Sequence, residues 1–280
     1  MNARYLRSLA ILCAAIVTVS TAAAQQATTL VYKFAPGKSY QYKSTSDGTI
    51  IQEMMGQEMK IENASSMTVS LATDNVAADG AMTLVTKLVE GSTKVKNPMM
   101  DTTIAMTDMI GKRMKIRLKP DGTILGREVV DSVASEGRMR GAGQREAVRF
   151  HILPAKPVKT GDTWASTFVD TMDNMGGKIV NSVSSSYTVV GSEVRSGANC
   201  LKVDYTGTIT IEGSGTMQGM DIYIEGGGKV TGTMYFDPSL GMVLQDEAMT
   251  ETESTIAVTG QQNMTIPMSQ KAKTVQTLLP

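Results

Sequence analysis

Apolar and polar residues alternate with period two along most of this chain. The longest run is Leu201-Lys-Val-Asp-Tyr-Thr-Gly-Thr-Ile-Thr-Ile211, apolar or glycine at every odd position and polar at every even one. Met114-Lys-Ile-Arg-Leu-Lys119 follows the same rule and then meets Pro120-Asp121-Gly122, a turn-forming triplet. Met67, Val69 and Leu71 alternate with Thr68 and Ser70, and Val230, Gly232, Met234 and Phe236 with Thr231, Thr233 and Tyr235. Such strands give one face to a core and the other to water, as antiparallel sheets do. Glycines interrupt the later strands (Gly207, Gly215, Gly219, Gly226 to Gly228, Gly232), which predicts bulges or strong curvature.

The pattern occurs twice. Tyr40 matches Trp164 (offset 124), Met67 matches Tyr187 (120), Gly80 matches Gly197 (117) and Ile116 matches Met234 (118). Near-constant offsets in chain order predict two related units, and a period this long indicates tandem units instead of a solenoid. The expected fold is all-β: two related curved antiparallel β units, half-barrel or sandwich-like, joined by a short helical connector. The boundaries are 1–24 for a signal peptide, 25–130 for the first β unit, 131–152 for the connector and 153–280 for the second β unit. Asp131 or Ser132 can cap a connector helix that Gly137, Gly141 and Gly143 interrupt. Met99 to Met114 reads either as a helical turn or as an irregular lid. In each unit a turn (Gly37-Lys38, Gly161-Asp162) precedes an aromatic, Tyr40 or Trp164, expected to point inward and anchor its sheet.

The first 24 residues have the three parts of a secretory signal. Arg4 and Arg7 precede a short apolar run, Leu9 to Val19, and Ala22-Ala23-Ala24 supplies a cleavage site. The run is too short to span a bilayer, so the mature chain is expected to be periplasmic or secreted and not transmembrane. Cleavage removes Cys13 and leaves Cys200 alone, so the mature fold has no internal disulfide and stands on its core. It also leaves 25 basic residues against 27 acidic ones, a net of about −2 without a basic cluster, which excludes a nucleic-acid partner. Thirteen aromatics in 280 residues are too few for the girdles of a transmembrane barrel.

Catalytic motifs fail in turn. His151 is the one histidine, which excludes multi-His metal sites, and no Gly-x-Ser-x-Gly accompanies it, so a packed or surface imidazole is expected. Cys200 has no Cys-x-x-Cys partner and reads as an inert thiol. Gly226-Gly-Gly-Lys229 is followed by Val230, unlike a phosphate loop. The acidic pair Asp246-Glu247 lies on a strand whose two faces diverge. No enzyme activity, cofactor or catalytic residue is expected.

Methionine is the compositional oddity, with 21 in the chain. The residues cluster: Met54, Met55 and Met59; Met99, Met100, Met106, Met109 and Met114; Met172 and Met175; Met217 and Met220; Met264 and Met268. Three readings compete: flexible core filler, a plastic apolar groove, and thioether ligation of Cu(I).

Around Phe150-His-Ile-Leu-Pro-Ala-Lys-Pro-Val-Lys-Thr-Gly-Asp-Thr-Trp164, the Leu-Pro-x-x-Pro-Val-Lys-x-Gly-Asp-x-Trp pattern resembles an uncharacterised family of exported bacterial proteins about as long as this chain. Tyr40, Tyr42 and Met55-Gly56-Gln57 extend the resemblance over most of the mature chain. It implies no established activity or site residue. By fold analogy alone, paired curved sheets also resemble the half-barrels of lipoprotein carriers, which hold acyl chains.

The resulting expectation is an exported, non-enzymatic protein that binds an apolar ligand such as a lipid in a Met-lined groove. The bets for that groove are Met106, Met109 and Met100, with Trp164 at its mouth. The alternative is a structural or protein-interaction module of the cell envelope without a ligand, and a minor one is Cu(I) binding.

Overall fold

The alternating stretches become strands. The computed structural model describes residues 27–54, 56–131, 148–174, 177–217, 219–260 and 263–280. Among them run Ser39–Met54 (β1), Gln57–Val76 (β2), Met82–Asn97 (β3), Met100–Ala105 (β4), Arg113–Leu118 (β5), Ile124–Val129 (β6), Thr163–Asn174 (β7), Gly177–Arg195 (β8), Ala198–Met217 (β9), Met220–Asp237 (β10), Met242–Thr259 (β11) and Met264–Leu278 (β12). A single 3-10 turn, Thr107–Met109, stands between β4 and β5, and both strands pair with β3. The 99–114 segment is therefore one strand broken by a short excursion. The helix expected in the 131–152 connector falls on 132–147, which lies outside the described residues.

The strand ladders among the described residues are antiparallel, in the order β6-β5-β3-β2-β1-β12-β11-β10-β9-β8-β7, with β4 beside β3. Strands β1–β6 and β7–β12 lie in this one sheet, joined where β1 pairs with β12 from Tyr42↔Leu278 to Gln52↔Met268. Both halves meander alike: β1, β2, β3, β4 with β5, and β6 correspond to β7, β8, β9, β10 and β11. Even irregularities match. The ladder slips at Arg117/Leu118 in one half and at Tyr235/Phe236, 118 residues on, in the other.

The sheet rolls up. β5 and β11 are five strand spacings apart, about 24 Å along the sheet. Yet adjacent residues of one extended segment reach the turns beyond both: Tyr32 N donates to Pro120 O and Lys33 N to Gly241 O. The two edge strands, ten spacings apart, also meet through side chains, Arg127 Nη1 lying 3.2 Å from Asp170 Oδ1. No backbone ladder joins β6 to β7 among the described residues, so the roll stays open along that seam.

Two non-strand straps, residues 27–38 and 148–162, cross the inside of the roll at one end. They pair at Thr28↔Val158, and Leu153 N donates to Asp121 O. Leu30, Tyr32, Phe34, Leu153 and Val158 are buried there with Tyr42, Leu71, Phe236 and Val243. Each such side chain contributes roughly 1.5–3 kcal/mol by leaving water. Phe150 packs edge-on against both Tyr32 and Phe34. This end is a packed core.

Beyond the straps the strands continue to the opposite end. On β9 the inward Ile209 and Ile211 are half-buried, while the outward Thr206, Thr208, Thr210 and Glu212 are exposed. An apolar inner face and a polar outer face on this strand are the reverse of those of a membrane-spanning barrel. No helix among the described residues is long and apolar enough to cross a membrane. Gly207, Gly226, Gly228 and Gly232 all face inward, and a Cβ on Gly226 would come 2.7 Å from the backbone of Ser254 on β11. Absent side chains let these strands curve tightly.

Candidate functional site

The strap that carries Arg149 and His151 crosses the inward faces of β8 to β12 and meets a set of polar groups there. Tyr187 (β8), Tyr205 (β9), Asp246 (β11) and Gln276 (β12) each occupy an inward position of the alternation and are buried. Arg149 N donates to Gln276 Oε1 at 2.7 Å, and its Nη1 donates to Tyr205 Oη at 3.0 Å and Asp246 Oδ2 at 3.2 Å. Tyr205 Oη donates to Asp246 Oδ1 at 2.9 Å. His151 N donates to Tyr32 Oη at 2.9 Å, linking the two straps.

The His151 ring is 4% exposed. Its Nε2 lies 3.2 Å from Asp246 Oδ1, close enough for an ion pair but off the ring's N–H direction. Its Nδ1 lies 3.4 Å from Tyr187 Oη. Trp164 stacks on Tyr187 with 4.8 Å between centroids and 4° between planes, and its Nε1 donates to Ile152 O at 2.9 Å. One carboxylate thus meets an imidazole, a guanidinium and a phenol.

Electrostatics follow from this packing. Burial alone would raise the Asp246 carboxyl, but His151, Arg149 and the Tyr205 hydroxyl together hold it below its usual range. Burial raises the Tyr187 phenol. It also raises Tyr205, with the Asp246 charge adding to the effect. Asp246, His151 and Tyr187 stand in the order of a proton relay, but the group at its end is a buried phenol held neutral. The arrangement suits fastening the strap to four strands.

An acid titration tests that role. The folded Asp246 carboxyl titrates below its unfolded value of about 3.9, so its contribution is complete above that value and is lost as pH falls through the folded one. The thermal midpoint is expected to hold from pH 7 to pH 5 and to decline below about pH 4. Asp246→Asn should show a shallower acid decline. An equal decline in both proteins would remove Asp246 from the account.

The residues singled out from sequence are dispersed. Trp164 is half-buried in the cluster just described, an anchor with its N–H satisfied. Met106 and Met109 are half-buried against the core at the β4–β5 excursion, Met106 beside Gly91 and Leu88. Met100 is 42% exposed at the start of β4. Cys200 is buried, and burial pushes its thiol up to about 11, so it is a poor nucleophile. Sequence reasoning singled out His151 only as a packed or surface imidazole and Asp246 only as half of an acidic pair, and it missed Arg149, Tyr205 and Gln276. A signal existed for Asp246: it shares an alternating face with Ala248, Ile256 and Val258, where a carboxylate needs a partner.

A shallow groove of about 690 Å³ lies on the outer face over β3, β2, β1, β12 and β11. Lys94, Lys96, Lys271 and Lys273 rim it, but Asp47, Glu62 and Glu251 stand among them, and Glu251 already pairs with Lys229 and Lys271. No group of three or more His, Cys, Asp or Glu side chains that could hold a metal occurs among the described residues.

Residues 144–243 match a family of unknown function, DUF6263. The matched stretch takes in Arg149, His151, Trp164, Tyr187 and Tyr205 and closes at Val243, three residues before Asp246. It also contains the Leu153 to Trp164 segment that carries the resemblance to an uncharacterised family. A comparison with curated proteins found no match.

Proposed function

We propose that this is an exported, non-enzymatic protein that holds an apolar ligand, such as a lipid, inside its rolled sheet. The observation that carries the reading is the inward face beyond the straps. Phe168, Val183, Ile209, Ile211, Ile224 and Ile256 share that face across β7 to β11 and are half-buried, with Val183 and Ile209 resting against the core. Buried apolar area open at one end is what a long-chain ligand requires.

The methionines complete the picture. β1–β2, β3–β4, β7–β8, β9–β10 and β11–β12 all turn at the unplugged end, and Met54, Met100, Met172, Met220 and Met264 stand beside those five turns. Flexible thioether side chains at a mouth can re-pack around varied chains. A Met-lined entrance therefore uses this rim, with Met100 in it, while Met106 and Met109 serve the core. The competing reading, an envelope interaction module without a ligand, draws on the unpaired edges of β6 and β7.

Native mass spectrometry of the mature protein purified from its own envelope fraction decides between them. The expected result is an added mass that organic extraction releases as lipid. A bare polypeptide mass, unchanged after incubation with lipid, would favour the interaction module.

A further inference from the structure

Arg149 is only half used. Its Nη1 bonds Tyr205 and Asp246, whereas Nε and Nη2 have no partner among the described residues. The side chain is 37% exposed while its partner Asp246 is 2% exposed. Tyr32, Phe34 and Phe150 fill the plugged side, so that exposure opens toward the other half of the roll. Beside it the inward face of β11, β12, β1 and β2 is polar: Thr250, Thr274, Ser46 and Ser65 are half-buried, and Thr274 Oγ1 lies 3.3 Å from Ser46 Oγ. Asn63 Oδ1, also inward, is buried without a hydrogen-bond partner among the described residues. Across from this belt the β7 to β10 wall carries Phe168, Val183, Ile209 and Ile211. The interior is therefore amphipathic, with a guanidinium edge at its floor and apolar walls running to the methionine rim.

We infer that the ligand is a single-chain amphiphile with an anionic head group, a carboxylate or phosphate monoester, which the free edge of Arg149 receives while the chain lies along the β7–β10 wall. The inference rests on the proposed apolar interior and adds the chemistry of the head. A planar guanidinium offers two parallel N–H donors that match either oxyanion. Asp246 keeps the Arg149 side chain fixed in place and leaves the N–H donors of its other edge available. The hydroxyls of Thr250, Thr274 and Ser46 supply neutral donors beside the head without adding competing negative charge.

Competition against dansyl-undecanoic acid in the full mature protein tests this. Palmitate or hexadecyl phosphate should displace the probe at least about tenfold more tightly than 1-hexadecanol, the scale of a charge-assisted contact. Whichever of the two anions competes better identifies the head. In Arg149→Gln the advantage of the anions should vanish, and Arg149→Lys should restore part of it, with thermal midpoints checking that both variants are folded. Equal competition by the alcohol and the anions in the unsubstituted protein needs no variant to interpret. It would overturn the head-group assignment and leave the apolar interior standing. Failure of the probe and of every competitor to bind would overturn both.

Discussion

Asp246→Ala is expected to lower the free energy of unfolding by about 1–3 kcal/mol in urea titration, the cost of leaving buried hydrogen-bond partners unsatisfied. The loss has three sources. Arg149 keeps one hydrogen bond of two on its Nη1, Tyr205 loses the acceptor for its hydroxyl, and the buried His151 ring loses the carboxylate 3.2 Å from its Nε2. The strap keeps its bonds to Gln276, Tyr205, Trp164 and Tyr32 but loses the one carboxylate that ties the set together. A loss below about 1 kcal/mol, ordinary for a surface substitution, would mean that the cluster is spectator to the fold.

Gly122→Ala should cost about 3 kcal/mol or more, for a reason that a second glycine isolates. Gly122 ends the β5–β6 turn with φ of 88°, and a Cβ there would overlap the carbonyl oxygen of His151 and come 2.8 Å from Tyr32 Cε2. Both straps would have to lift. Gly197 has φ of 80°, in the turn between β8 and β9, but a Cβ on it meets nothing within 4 Å. Gly197→Ala should therefore cost only the left-handed backbone strain, on the order of 1 kcal/mol. The difference between the two midpoints measures strap packing alone. Similar losses in both would show that the straps give way freely.

Period-two alternation located the strands because each has one wet face. Leu201 to Ile211 lies wholly within β9, and Pro120-Asp121-Gly122 is the turn between β5 and β6. The doubled pattern also survives into matching strands and matching ladder slips. What could not be read was the β1–β12 pairing that fuses the halves. Alternation shows which face of a strand is buried, but not which distant strand lies beside it. The polar cluster escaped for a related reason. Arg149 lies 97 residues from Asp246 and 56 from Tyr205, and a short strap outside any periodic segment brings them together. Asp246 and Glu247 are neighbours in the alternation and take opposite faces, yet only the strap shows that one of those faces is closed to water.

Placing the last strand beside the first has a kinetic consequence. β1 and β12 form the middle of the sheet, not its border, so the central ladder is the last that a growing chain can zip. Until residues 264–278 are available, β1 and β11 each present a long unpaired edge, and the two meanders are free to pair with the wrong neighbour. Such long-range closure is slow and exposes intermediates to aggregation. A chain truncated before Met264 should accumulate as insoluble material, whereas one shortened at the β6 or β7 border, already an edge in the finished sheet, has far less to lose.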